Sequence, residues 1–111
     1  MEIEKEQTTD IIKFTLTNKF CWDKYEQEVK NKIINAKAPV EVIWDLREMN
    51  KIPSPIIIGK QILLLKTNKT KMRKNIIKNS VLVNNKELKG KIEWIFRNVY
   101  KPENPTEIIC N

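Results

Sequence analysis

Val40-Glu41-Val42-Ile43-Trp44-Asp45-Leu46 is the stretch on which the fold turns. Its β-branched and aromatic residues suit a strand, and so many positions are apolar that both faces are expected to be covered, as in the interior of a parallel sheet. Ala38-Pro39 stands directly before it, and the proline keeps the preceding residue out of helical geometry, so a strand starts afresh here. A parallel strand needs a crossover to reach its neighbour, so helices are expected on both sides along the chain.

Upstream, Trp22, Tyr25, Val29 and Ile33 recur at helical spacing, with Asp23, Glu26, Lys30 and Asn31 on the other faces. Before them Ile12, Phe14 and Leu16 alternate with Lys13, Thr15 and Thr17, and Glu2 to Glu6 alternate weakly ahead of the turn-forming Gln7-Thr8-Thr9-Asp10. That pattern predicts an N-terminal β-hairpin whose outer strand is a charge-protected edge.

Downstream, residues 47–53 read as a loop. Ser54 and Pro55 then supply an N-cap and a proline at the first helical position, and Ile58, Ile62 and Leu65 carry a helix to about Thr67. A polar, basic connection covers 68–74, and Ile76 to Val83 is a second buried strand. Asn84-Asn85 caps a helix carrying Leu88, Ile92, Ile95, Phe96 and Val99, which Lys101-Pro102 stops, and Thr106 to Cys110 forms a last strand. The order ββαβαβαβ predicts one α/β domain over 1–111. It has a mixed, mostly parallel sheet of four to five strands, an N-terminal hairpin and three helices.

A chain of 111 residues has room for one core, large enough to need no disulfide or metal. Cys21 and Cys110 lie far apart and there is no histidine, so a zinc set, a Ser-His pair and a Cys-His pair are all excluded. Gly59 and Gly90 both fall inside predicted helices, which leaves no glycine-rich loop for a pyrophosphate. No cofactor is expected. The acidic start does not resemble a secretory leader and no apolar run is long enough to span a bilayer, so a reducing cytoplasm is expected.

The charge of +7 is uneven: Lys60, Lys66, Lys69, Lys71, Arg73, Lys74 and Lys78 follow one another without an acid between them. Lys69, Lys71, Arg73 and Lys74 are the candidates for phosphate-backbone contacts. A solvated face is the preferred reading, because the block has no interleaved aromatic and a chain rich in Lys, Asn and Ile suits an AT-rich genome.

Asp45 at the end of the central strand and Glu48 after it could meet a cation or ligand, but a pairing of Asp45 with Arg47 or a lysine is preferred. Ser54 could accept a phosphate among the free N–H groups of a helix start, although an ordinary N-cap explains it. Cys21 is expected to be a small buried hydrophobe, Trp22 and Trp44 are expected in the core, and Trp94 lies off its helix's apolar stripe.

The strand order, the segment ending Asp45-Leu46, and Ser54 opening an apolar helix together resemble the STAS domain of anti-sigma-factor antagonists. The resemblance spans nearly the whole chain in pattern. It departs at the phosphoserine turn, where Pro53, Ser54, Pro55 and Ile56 stand in place of an Asp-Ser-Ser-Gly type sequence. It implies a non-enzymatic regulatory module, helices mainly on one face, a protein partner meeting the region of Asp45, Glu48 and Ile56, and Ser54 as the regulatory phosphorylation candidate. Two other readings stand beside it: a nucleic-acid-associated accessory domain, and a carrier for a nucleotide or lipid held between helices and sheet. For the carrier, the sequence offers no specific polar groups.

Overall fold

A computed structural model describes residues 10–49, 53–102 and 104–110. β1 (Asp10–Thr17), β2 (Val40–Glu48), β3 (Ile76–Val83) and β4 (Thr106–Cys110) form one sheet in the order β1-β2-β3-β4, and every pair is parallel. The crossovers carry α1 (Trp22–Val29), α2 (Pro55–Thr67), α3 (Lys69–Asn75) and α4 (Lys86–Asn98), and a π-helical turn at Lys30–Ile34 extends α1. Strands fall where alternation and apolar runs place them. The described sheet is all parallel rather than mixed; the outer hairpin strand expected over residues 2–6 falls outside the described residues.

The central strand departs from expectation in one respect: helices cover only one of its faces. Strand side chains in the two core clusters all project from the same side, namely Ile12, Phe14 and Leu16, then Val40, Val42, Trp44 and Leu46, then Val81 and Val83, then Ile108 and Cys110. A sheet that grows in one direction through same-handed crossovers delivers every helix to one side. A bulge at Ile77 keeps the register: Ile76 faces Val40, Lys78 faces Glu41, and Asn79 faces Val42, so β3 points both Ile76 and Asn79 toward the helices.

The opposite face is closed by its own side chains. Asp45, buried beside Thr15 and Leu82, takes Nε and Nη2 of Arg47 at 2.9 and 2.8 Å and Lys13 at 3.4 Å, and Lys78 pairs with Glu107 at 3.4 Å. This confirms the pairing reading of Asp45. β2 runs through Asp45 to Glu48, two residues past the expected end at Leu46, so Asp45 lies within the strand and Glu48 closes it rather than lying in a loop.

Two further corrections concern helices. Residues 69–75, nearly all within the connection expected over 68–74, form α3, so the described residues hold four α-helices rather than three; Met72 is its one buried side chain. Cys21 is exposed rather than buried, because it occupies the N-cap of α1 and the inward stripe begins one residue later at Trp22. Asn75 holds the end of the π-helical turn by donating from Nδ2 to the carbonyls of Ile33 and Ile34, at 2.9 and 3.1 Å.

Candidate functional site

Because the described strand order never reverses, the sheet has no topological switch point and no crevice of the kind that doubly wound folds use. The space available for a ligand lies instead between helices and sheet. A cavity of about 220 Å³ runs along the strands, with Leu46 and Met49 near their C-terminal ends and Ile76 and Thr106 near their N-terminal ends. Trp44, Asn79 and Val81 form its floor, Phe20, Trp22 and Tyr25 one wall, and Leu88, Ile92 and Phe96 the other. Ile57, Ile58, Gln61, Ile62 and Leu65 of α2 form the roof.

α2 makes this roof possible because it is apolar nearly all round, yet Leu64 is its only buried residue. Its inner side faces the cavity, while Ile56 and Leu63, seven residues apart, stand 71% and 66% exposed on the outer side. The first wall is an aromatic cluster centred on Tyr25, whose ring lies 5.4 Å from Phe14, 5.3 Å from Phe20 and 5.4 Å from Trp22. The hydroxyl of Tyr25 accepts from the Trp44 indole Nε1 at 3.0 Å and also hydrogen-bonds the Gln61 side chain. Burial pushes this phenol up to about 12, with the bonds from Trp44 and Gln61 opposing the rise. The phenol is therefore neutral at neutral pH and anchored by its hydrogen bonds.

Two polar atoms in the cavity are left over. Gln61 Oε1 and Asn79 Oδ1 are fully buried and find no partner among the described residues. The orientation of the Asn79 amide follows from its neighbours. Thr106 Oγ1 donates to the Asn104 carbonyl at 2.9 Å, so it can only accept, and Asn79 Nδ2 donates to it at 3.3 Å. Asn79 Oδ1 is then the atom left without a partner. An unsatisfied buried acceptor costs about 1–3 kcal/mol, and two of them belong to residues that line this one apolar space, so a small side-chain rotation would let a ligand or a bound water supply the missing partner.

The residues singled out from sequence do not assemble around this cavity. Ser54 is exposed and caps α2, its Oγ accepting from Ile57 N at 3.4 Å. Asp45 lies on the other face of the sheet, Glu48 is exposed at the strand end, and Ile56 points outward. Lys69, Lys71, Arg73 and Lys74 are all exposed on α3, around the helix from Met72, with no aromatic among them. Gln61 and Asn79 were not among those singled out: Gln61 follows Gly59-Lys60 and Asn79 stands between Lys78 and Ser80, where an amide looks like one more polar position. Among the described residues no group of side chains could hold a metal ion, and no helix is long and apolar enough to cross a membrane.

No family model, curated protein or solved structure matches this chain. What the fold and the site define is an α/β domain with a one-sided helical layer over an apolar cavity.

Proposed function

We propose that this domain binds a small apolar ligand between α2 and the sheet, acting as a carrier or a ligand-responsive module rather than a catalyst. The observation that carries the reading is the apolar cavity of about 220 Å³, two of whose lining residues, Gln61 and Asn79, hold buried acceptors without a partner. For scale, an engineered apolar cavity of roughly 150 Å³ holds benzene. A ligand with an alkyl body and a hydroxyl or amide N–H would satisfy both features: its body excludes water from the aromatic wall, and its donor meets an orphan oxygen.

Titration with decan-1-ol, followed by the fluorescence of Trp22 and Trp44 in a Trp94→Phe background, tests this. Trp94 is 55% exposed and would otherwise add signal from outside the cavity. Saturable binding that Ile62→Phe, a roof-filling change, weakens sharply is the expected result. A linear, unsaturable response in both proteins would rule the reading out.

A second reading, a protein-interaction module of the STAS-like kind, draws support from Ile56 and Leu63, which leave an apolar strip exposed on the outer side of α2. It predicts a partner that survives nuclease treatment and is lost when both are changed to Glu, while decan-1-ol binding persists. The nucleic-acid reading retains its four exposed charges on α3 but gains no stacking platform, so it has the weakest support of the three.

A further inference from the structure

We propose that the ligand is a single-chain anionic amphiphile, its chain, which carries the hydroxyl or amide N–H that meets Gln61 or Asn79, in the cavity under α2 and its carboxylate or phosphate head held by Lys66, Lys69 and Lys101. This inference rests on the apolar-ligand reading above. Its basis is a second, open cleft between the end of α2, the start of α3 and the end of α4, which these three lysines line together with Thr67 and Thr70. Tyr100 lines both spaces, so the lysine cleft adjoins the apolar cavity. An apolar interior with a cationic cleft beside it is the pairing that suits an amphiphile.

The charge at this cleft exceeds what the fold needs. Lysines at helix C-termini commonly offset the negative end of the macrodipole, and both α2 and α4 end here. Each such end amounts to roughly half a charge, so two ends call for about one lysine and not three. Among the described residues no acidic side chain lines the cleft, and none of the three lysines joins an ion pair. Three like charges drawn to one cleft repel one another, and an anion placed among them removes that cost. The two threonine hydroxyls add uncharged donors for the same oxygens.

The test compares decanoate, decyl phosphate, decan-1-ol and decyltrimethylammonium by calorimetry on the intact chain at neutral pH and low salt. Three exposed charge contacts, each modest, should together favour an anionic head over the alcohol by about tenfold, and the advantage should shrink as salt is added. The order of decanoate and decyl phosphate then tells which head the cleft prefers. In the triple variant Lys66→Ser, Lys69→Ser, Lys101→Ser the anions should bind no better than decan-1-ol, whose own affinity stays unchanged. These are surface positions, and an unaltered melting temperature checks that the variant folds. If decan-1-ol binds the native chain as well as decanoate does, or if the triple variant keeps the preference for anions, the anionic-head inference is overturned while the apolar-ligand reading stands. Binding of none of the four probes overturns both.

Discussion

Trp44 donates its indole Nε1–H to the hydroxyl of Tyr25 across 3.0 Å, and that bond ties the central strand to the first helix beneath the wall of the cavity. Both side chains also belong to the aromatic cluster, with Phe14 stacked 6.1 Å from Trp44 and set edge-on to Tyr25. The polar pair thus fixes how far α1 stands from the sheet, and with it the position of one cavity wall.

Tyr25→Phe removes the acceptor and leaves a part-buried indole N–H unpaired, so a loss of about 1–3 kcal/mol is expected at pH 8. The pH dependence gives an independent signature. A phenol raised in the folded state from 10.0 to about 12 contributes its full stability below pH 10 and loses it as pH climbs from there toward 12. Two pKa units correspond to roughly 3 kcal/mol. Urea unfolding of native and Y25F chains at several pH values from 8 to about 11.5 should show the native curve falling toward the variant. A constant difference across that range would contradict the burial argument.

Asp45 should govern the acid side. The Arg47 guanidinium, followed by the Arg47 backbone N–H and Lys13, holds its carboxyl well below the usual carboxylate range, against the opposing effect of burial. A depressed pKa contributes stability above the unfolded value, about 3.9, and loses it as pH falls through the folded value. Asp45→Asn should therefore cost about 1–2 kcal/mol at pH 7, where solvent screens the exposed Arg47 and Lys13. The difference from the native chain should narrow only below about pH 4. Thermal melts of both chains from pH 7 down to 2.5 measure this directly.

Much of the fold was legible because local chemistry agreed with tertiary demand. Ser54 and Asn85 cap helices where their side chains predict it, and the apolar runs of β3 and β4 coincide with the strands. α3 was hidden because Lys69 to Asn75 offers a single apolar residue, Met72, and one residue defines no period. The bare second face of the sheet was hidden for a different reason. Ile43 makes β2 look doubly covered, and nothing local tells that Lys13 and Arg47 would close over Asp45 from the solvent side. The cavity was least legible of all, since Gln61 and Asn79 lie on separate elements and meet only through the crossover.

Met72 docks α3 on the core, so Met72→Ala should cost about 2–5 kcal/mol, since the side chain is buried in the first core cluster. Lys71→Ala, one residue away on the exposed side, should change stability by no more than about 0.5 kcal/mol. Similar small effects at both positions, read by urea unfolding, would mean that residues 69–75 do not pack as a helix.

Asn79 joins stability to function. Its Oδ1 is orphaned in the cavity floor, and its one side-chain bond, to Thr106 Oγ1, is long at 3.3 Å. Leucine has nearly the same shape and no polar atom to desolvate, so Asn79→Leu exchanges a weak hydrogen bond for relief of a buried unsatisfied acceptor. The net effect should be stabilising by about 1 kcal/mol, against the usual trend for changes at buried positions. If Asn79 is retained to meet a donor on the ligand, the same variant should bind decan-1-ol less tightly while its affinity for decane, which offers no donor, holds or rises. A more stable protein with poorer alcohol binding is the signature of a residue kept for a ligand at some expense to the fold. A destabilised variant with unchanged selectivity would place Asn79 among ordinary structural residues and weaken the case for a polar group on the ligand.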